Sequence, residues 1–143
     1  MNPDDLDLRL TDAPSDELRD VAGNGLAAFN TELLGPSNRR PLGIAIHSRT
    51  NGRLLGGLYG RTGFRRLFVE LLFVPEALRG RGLGAKLLQQ AEAEARARGC
   101  VGAWLDTFSA EAKGFYLKSG YRVFGEIADY PPGNTRFFLS KDF

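Results

Sequence analysis

The sequence is poor in the residues that bind metals or form disulfides. It contains a single cysteine, Cys100, and a single histidine, His47. One cysteine cannot form an intrachain disulfide, and there is no thiolate cluster to bind zinc. We therefore expect a protein without a metal centre, located in a reducing cytoplasm.

An excess of charge of either sign is also lacking. Lysine and arginine number 19 against 17 acidic residues, which gives a formal net charge of +2. The pairs Arg39-Arg40 and Arg65-Arg66 are too short to form a basic surface. The charge pattern therefore predicts no nucleic-acid partner.

Long hydrophobic runs are absent too. No segment has the length of a membrane span, and the acidic residues 1–5 do not resemble the start of a signal peptide. We expect no membrane association. A length of 143 residues is typical of one domain with a sizeable core.

Glycine, by contrast, is abundant, and three of the 18 glycines lie in Arg79-Gly80-Arg81-Gly82-Leu83-Gly84. The apolar residues 67–74 precede this loop and have the composition of a buried strand. Leucines and alanines at helical spacing follow it and predict a helix that ends at Gly99. Glycine N–H groups at the start of a helix can approach a phosphate without Cβ atoms in the way. The pattern therefore predicts an anion site, suited to a diphosphate.

Several interpretations of this loop compete. In the first interpretation the loop binds a diphosphate, and Arg79 and Arg81 add charge-assisted hydrogen bonds to it. In the second the glycines are needed only for the geometry of the turn, and the two arginines are solvated. A P-loop is excluded, because no Gly-Lys-Ser/Thr follows. Gly80-x-Gly82-x-x-Ala85 fits a dinucleotide fingerprint, with Asp106 near the expected distance. However, residues 75–79 separate the strand from the glycines, and no βαβαβ repeat precedes them.

A second motif follows the next predicted strand and consists of Ala112, Phe115-Tyr116 and Gly120-Tyr121. In order and spacing it resembles the second signature block of the GNAT superfamily, the acyl-CoA-dependent N-acyltransferases. Arg79-x-x-Gly82-x-Gly84 resembles that superfamily's first block, so the resemblance covers residues 67–121. The family often has asparagine at the position of Ser109, which we expect to cap a helix.

The chain pattern predicts a mixed sheet. Strands are expected at 6–11, 41–47, 54–59, 67–74, 102–107, 121–127 and 135–139, with helices at 15–29, 82–98 and 110–118. The resemblance implies one α/β (α+β) GNAT domain over residues 1–143, with a central sheet of about seven strands, helices on both faces and a cofactor-binding core at about 67–121.

The resemblance also implies a co-substrate site for acetyl-CoA. The strand ending at Val74 would splay from the strand ending near Thr107, and the pantetheine arm would enter between them. The Val74 N–H would polarise the thioester carbonyl as charge develops on its oxygen. The residues expected to contact coenzyme A are Leu72, Phe73, Val74, Arg79, Gly80, Arg81, Gly82, Leu83, Gly84, Ala85, Thr107, Ala112 and Phe115.

Two side chains are candidates for proton transfer. The second motif implies that Tyr116 is the general acid that protonates the departing thiolate, although it can instead pack a helix against the sheet. Glu70 is the only charge in its strand, and we expect it to be buried and to act as the base. The alternatives are an ion pair of Glu70 with an arginine such as Arg61, and a base provided by His47 or a water chain.

The function expected from these features is transfer of an acetyl group from acetyl-CoA to a primary amine. A small-molecule amine is our first expectation and a peptide or protein amine the second. Candidate acceptor contacts are Phe29, Asn30, Tyr59, Asp129 and Tyr130. The alternatives are a non-catalytic acyl-CoA-binding module and an NAD-binding oxidoreductase domain. The oligomeric state stays open, and a homodimer made by the late strands is compatible with the family resemblance.

Overall fold

The computed structural model describes residues 1–143 and divides them into two compact units, Met1–Pro36 and Ser37–Phe143. The single domain over the whole chain stays a prediction. The first unit contains a short 3₁₀ helix, Pro3–Asp5, and helix α1, Asp16–Leu34. Ser15 caps α1, because its hydroxyl accepts a hydrogen bond from the Leu18 N–H at 3.1 Å.

Two predictions for the first unit differ from the structure. Helix α1 runs on to Leu34, beyond the predicted end at Phe29, and stops only where Gly35 adopts a φ of 83°. The strand predicted at residues 6–11 is wrong. Leucines alternate with polar residues there, but a strand also needs a partner, and this segment pairs with none. No helix in either unit is both long and apolar enough to cross a membrane.

The second unit is a mixed α/β structure around a six-stranded sheet. Its elements are β1 (Arg40–His47), β2 (Leu54–Gly63), β3 (Arg66–Phe73), α2 (Leu83–Ala97), β4 (Gly102–Thr107), α3 (Ala110–Lys118), β5 (Arg122–Ala128) and β6 (Thr135–Asp142). The strand order is β1-β2-β3-β4-β6-β5, and only the β3–β4 pair is parallel. The predicted fold class is confirmed, with six strands where about seven were expected.

The hydrophobic core lies on one face of this sheet, which we call the core face. Leu67, Leu105 and Leu139 project from β3, β4 and β6 and are fully buried. Leu88 and Ala91 of α2 belong to the same buried cluster, as the apolar periodicity of this helix predicts. Helix α2 is therefore held against the core face, with its N-terminus after the glycine loop.

Strands β3 and β4 pair over only part of their length. Their parallel register runs from Arg66 opposite Gly102 to Phe68 opposite Trp104, and ends there. Beyond that point β3 pairs only with β2, and β4 pairs only with β6. The predicted splaying of these strands is therefore confirmed, and we call the space between them the β3–β4 gap.

A β-bulge interrupts β3 at Glu70. On β2, Gly60 pairs with Val69 and Tyr59 pairs with Leu71, which leaves Glu70 without a partner. The bulge breaks the period-two alternation from which burial of Glu70 was expected, and that expectation is wrong. The Glu70 side chain is 46% exposed, and its Oε2 lies 3.9 Å from Nη1 of Arg61. The ion pair with Arg61, the alternative considered from the sequence, is present.

The close approach of β2 and β3 at the bulge also explains why residue 60 is a glycine. A Cβ at Gly60 would overlap the carbonyl oxygen of Phe68 on the neighbouring strand. We expect Gly60→Ala to lower the free energy of unfolding by about 2 kcal/mol, since β2 and β3 must separate locally. Gly114→Ala is the matched control, because a Cβ at this position in α3 meets nothing within 4 Å. It should stabilise by about 0.5–1 kcal/mol. Urea unfolding measures both, and equal stability of the two variants would contradict the close approach.

Candidate active site

A cleft of about 560 Å³ lies at the β3–β4 gap, on the side of the core face. Its walls come from the end of β3, the glycine loop, the start of α2 and one side of α3. The lining residues are Leu72, Phe73, Val74, Leu78, Arg79, Gly80, Gly82, Leu83, Gly84, Ala85, Ser109, Glu111, Ala112, Phe115 and Tyr116. The structure thus brings together all of the predicted cofactor residues except Arg81 and Thr107.

The glycine loop leaves a helix N-terminus free for an anion. Gly80 and Gly82 have φ values of 76° and 77°, and Gly82 is the N-cap of α2. No side chain caps this end, and the first intrahelical bond runs from the Lys86 N–H to the Gly82 carbonyl. The N–H groups of the first turn, Leu83 to Ala85, therefore have no intrahelical partner. Such donors suit an anion, and Gly82 carries no Cβ that could hold one away from the backbone.

Arg79 connects the loop to the strand before it. Its Nε donates a hydrogen bond to the Val74 carbonyl at 2.9 Å, across the start of the loop. The predicted contacts of Arg81 and Thr107 with coenzyme A stay predictions. Arg81 is exposed beside the cleft, and the Thr107 hydroxyl accepts a hydrogen bond from the Ser109 N–H at 3.2 Å. Thr107 thus contributes to the turn between β4 and α3.

Three cleft residues were not predicted as contacts: Leu78, Ser109 and Glu111. The expected cap is confirmed, since the Ser109 hydroxyl accepts a hydrogen bond from the Ala112 N–H at 3.1 Å. Ser109 nevertheless lies on the cleft wall as well. A signal was available in the sequence, because Ser109 and Glu111 lie three residues and one residue before Ala112, the first residue of the second motif.

Tyr116 lies in the cleft wall with its ring in the core. The residue is 7% exposed, and its ring meets those of Phe115 and Tyr121 edge-on. Burial raises the pKa of the Tyr116 phenol, and the nearby negative charge of Asp106 raises it further. The phenol is therefore protonated at neutral pH, which a proton donor requires, while the raised pKa makes it a weaker acid than a free tyrosine. Packing and proton donation, the two roles considered for it, are compatible in this position.

Asp106 and Arg136 form a partly buried ion pair at the end of β4. Nη2 and Nε of Arg136 donate to the same carboxylate oxygen, Oδ1 of Asp106, at 2.6 and 3.0 Å. Nη1 of Arg136 donates to the Tyr130 hydroxyl at 2.9 Å. The guanidinium also lies 4.7 Å from the centre of the Phe108 ring. A charged and aromatic cluster is thus built from Asp106, Phe108, Tyr130 and Arg136.

The predicted acceptor contacts are dispersed. Tyr130 belongs to the cluster with Arg136, whereas the Asp129 carboxylate accepts a hydrogen bond from the Gly133 N–H and holds its own turn. Tyr59 is half exposed on β2. Phe29 and Asn30 lie on α1, in the first unit. Only Tyr130 joins a larger set of interacting side chains.

Neither predicted base lines the cleft. Glu70 is at the bulge beside Arg61, and His47 is at the end of β1. The Nδ1 atom of His47 lies 3.1 Å from the Gly52 carbonyl oxygen, within hydrogen-bond distance. The carbonyl of the first hairpin thus orients His47. The roles of Glu70 and His47 as proton acceptors remain predictions.

The buried phenols predict how stability changes at high pH. Burial, followed by the charge of Glu92, raises the pKa of Tyr121, whose hydroxyl donates to Glu92 Oε2 at 3.2 Å. The unfolded chain loses phenol protons near pH 10, whereas folded Tyr121 and Tyr116 keep theirs to higher pH. Above about pH 10 the folded state therefore binds more protons, and the free energy of unfolding should fall as pH rises.

This decrease is measured by urea unfolding at a series of pH values between about 8 and 11. Tyr121→Phe removes one of the two buried phenols, so the decrease above about pH 10 should be shallower in the variant. A slope as steep as that of the wild type would contradict the role of Tyr121.

Comparison with known proteins identifies the family. The sequence matches the acetyltransferase (GNAT) family over residues 12–121. It is 40% identical over 134 residues to an acetyltransferase of Agrobacterium fabrum, covering 94% of this chain and 97% of that protein. It is 46% identical over 92 residues to blasticidin-S acetyltransferase of Streptomyces morookaense, covering 64% of this chain and 68% of that protein.

Solved structures agree with this result. The crystal structure of a protein assigned as an acetyltransferase of Agrobacterium tumefaciens has a TM-score of 0.92 at 38% identity, with 96% of this chain and all of that chain covered. An acetyltransferase of Bacillus cereus has a TM-score of 0.83 at 28% identity, with 94% and 98% covered. The chain belongs to the GNAT acetyltransferase family and is an acetyl-CoA-dependent N-acetyltransferase. This result counts against the alternative of an NAD-binding oxidoreductase.

Proposed function

We propose that this enzyme transfers the acetyl group of acetyl-CoA directly to a primary amine of a small molecule, with Tyr116 as the general acid. The observation that carries the proposal is the position of the buried Tyr116 phenol in the wall of the cleft at the β3–β4 gap. A helix N-terminus without a cap lies in the same cleft. Together they provide an anion site and a proton donor for one extended ligand.

The cleft offers partners for each part of coenzyme A. The free N–H groups at the start of α2 and the remaining N–H groups of Arg79 suit the diphosphate. Beyond Phe68, β3 pairs with β2 alone, so its other edge presents backbone groups to the amides of pantetheine. In this arrangement the Val74 N–H is the donor proposed for the thioester carbonyl oxygen.

Tyr116 supports the chemical step as an acid. The amine nitrogen forms a bond to the thioester carbon, the carbon–sulfur bond breaks with its electron pair on sulfur, and the phenol proton passes to that sulfur. The proton released by the amine passes to a base, for which Glu70, His47 and a water chain remain the candidates. Solvent then returns a proton to the phenolate and takes up the proton held by the base, so the enzyme is unchanged after each turnover.

Direct attack by the amine is supported by the lack of a suitable nucleophile. Cys100 is the only cysteine, and it is buried just before β4, at the end opposite the gap. Burial raises the pKa of its thiol, which disfavours the reactive thiolate. An acetyl-cysteine intermediate therefore has no support in this chain.

The choice of a small-molecule amine rests on similarity. Blasticidin-S acetyltransferase, whose name gives a small-molecule substrate, is 46% identical to this chain over the matched residues. A peptide or protein amine is the second candidate. A homodimer and a cytoplasmic location are part of the proposal and rest on the family resemblance and on the unpaired cysteine.

Calorimetric titration with acetyl-CoA, CoA and NADH tests the proposed co-substrate. We expect acetyl-CoA to bind with a dissociation constant of about 1 μM, or about −8 kcal/mol, and NADH not to bind. NADH binding without acetyl-CoA binding would contradict the proposal and would restore the dinucleotide interpretation of the glycine loop.

Gly82→Ala tests the position of the diphosphate. Gly82 and Gly99 both have positive φ, 77° and 84°, and a Cβ at either meets nothing within 4 Å. Each alanine variant should therefore lose about 1–2 kcal/mol of stability through backbone strain. Only Gly82 lines the cleft, so only Gly82→Ala should also weaken acetyl-CoA binding, by about 10- to 100-fold. Equal affinities in the two variants would contradict a diphosphate at this helix end.

A further inference from the structure

The face of the sheet opposite the core face carries its own polar site at the β3–β4 gap. Side chains alternate along β4, so Leu105 points into the core and Trp104 and Asp106 point to the opposite face. The register of β3 against β4 agrees with this orientation. Phe68 pairs with Trp104, and the centres of their stacked rings lie 4.1 Å apart. Asp106 is the next residue of β4 on this face, and no β3 residue lies opposite it.

Asp106 presents one carboxylate oxygen that the protein leaves free. Both hydrogen bonds from Arg136 go to Oδ1, and Oδ2 receives none from any other residue. The Asp106 side chain is 19% exposed, so Oδ2 can be reached from solvent. Arg136 is itself fixed by the Tyr130 hydroxyl and by the Phe108 ring. The carboxylate is thus held in one orientation by an ordered set of neighbours.

We propose that Oδ2 of Asp106 binds the acceptor, by accepting a hydrogen bond from its primary amine at the β3–β4 gap, on the face opposite the coenzyme A cleft. The inference rests on the proposed function and names the substrate class of the acceptor site: small primary amines that bind as ammonium ions and lose one proton to the base before the nitrogen attacks the thioester carbon. Arg136 is a positioning residue, because it acts through the orientation of Asp106.

Geometry favours this face for the acceptor. The lining of the cleft comes from α2, α3 and the end of β3, so coenzyme A occupies the core-face side of the gap. An amine must then reach the thioester carbon from the other side, where Asp106 lies. The influence of Asp106 on the Tyr116 phenol agrees with a carboxylate next to the reacting atoms. Trp104 precedes Asp106 by two residues on the same face of β4, and its aromatic ring suits a cation.

The test compares Asp106→Asn with Glu126→Gln. Asparagine keeps an oxygen for Arg136 but removes the charge, whereas Glu126 is an exposed carboxylate on β5 that contacts no part of the site. The probes are ethanolamine, putrescine, glycinamide and butylamine, with CoA release as the readout. Asp106→Asn should raise the KM for each accepted amine by about 10- to 100-fold, because a charge-assisted hydrogen bond is lost. The affinity of Asp106→Asn for acetyl-CoA should match that of the wild type. The kinetics of Glu126→Gln should match those of the wild type as well.

The outcomes separate this inference from the function on which it rests. An unchanged amine KM in Asp106→Asn, in an enzyme that still acetylates amines, overturns the inference and leaves the function in place. A wild type that binds acetyl-CoA but acetylates none of the probes overturns both. If Asp106→Asn does not fold, the amine KM of Asp106→Glu tests the inference instead. This variant keeps the charge but displaces the oxygen by one methylene, so its amine KM should still rise, and an unchanged KM overturns the inference.

Discussion

Tyr116→Phe should lower kcat by about 10²- to 10⁴-fold and leave the affinity for acetyl-CoA within about twofold of the wild type. Phenylalanine keeps the ring that packs against Phe115 and Tyr121, so the core and the cleft wall are preserved. What disappears is the proton that the thiolate receives when the carbon–sulfur bond breaks. Without this donor, sulfur must leave as an unprotonated thiolate.

Tyr121→Phe is the matched control for this experiment. Tyr121 is also a buried tyrosine, and its ring centre lies 5.9 Å from that of Tyr116. It does not line the cleft, so its removal should leave kcat unchanged. Steady-state kinetics and calorimetry on both variants separate chemistry from binding. A Tyr116→Phe enzyme with wild-type kcat would show that Tyr116 serves only to pack α3 against the sheet.

Lys141→Met should destabilise the protein by about 3 kcal/mol, because it leaves the carboxylate of Glu92 buried without its cation. The Lys141 Nζ lies 2.6 Å from Glu92 Oε1, and the Glu92 side chain is only 5% exposed. Lys141 also donates to the Ser119 carbonyl at 3.0 Å, so the same amine connects β6, α2 and the end of α3. Urea unfolding measures the loss.

Two further variants show whether the buried charge is the cause. Adding Glu92→Gln to Lys141→Met removes that charge, and the double variant should recover about 1–2 kcal/mol of the loss. Arg122→Met breaks an ion pair with Asp142 whose side chains are 73% and 64% exposed, and it should change stability by less than about 1 kcal/mol. A double variant less stable than Lys141→Met would contradict the explanation.

Local features of the site could be predicted from the sequence. The bounds of β4 and α3, Gly102–Thr107 and Ala110–Lys118, agree with the prediction, because apolar composition and the Ser109 cap mark them within a few residues. The glycine loop was predictable for the same reason. Positive φ at Gly80 and Gly82 is a property of single residues, and a helix start directly after them needs no distant partner.

Features that depend on pairing between distant strands could not be predicted. The bulge at Glu70 arises from the register of β2 against β3, which the sequence of β3 alone does not reveal. The segment 6–11 alternates like a strand but has no partner. Asp106 and Arg136 are 30 residues apart, and their ion pair exists because β4 lies beside β6 rather than β5. The cluster of Asp106, Phe108, Tyr130 and Arg136 therefore emerged only with the fold.

Mass spectrometry of the enzyme after incubation with acetyl-CoA, first without and then with a primary amine, tests direct acetyl transfer most directly. We expect the protein mass to stay unchanged in both samples, while the amine gains one acetyl group and free CoA accumulates only when the amine is present. A protein that gains an acetyl group from acetyl-CoA alone and loses it when the amine is added would contradict direct attack. It would show that a residue of the chain carries the acetyl group between the two substrates.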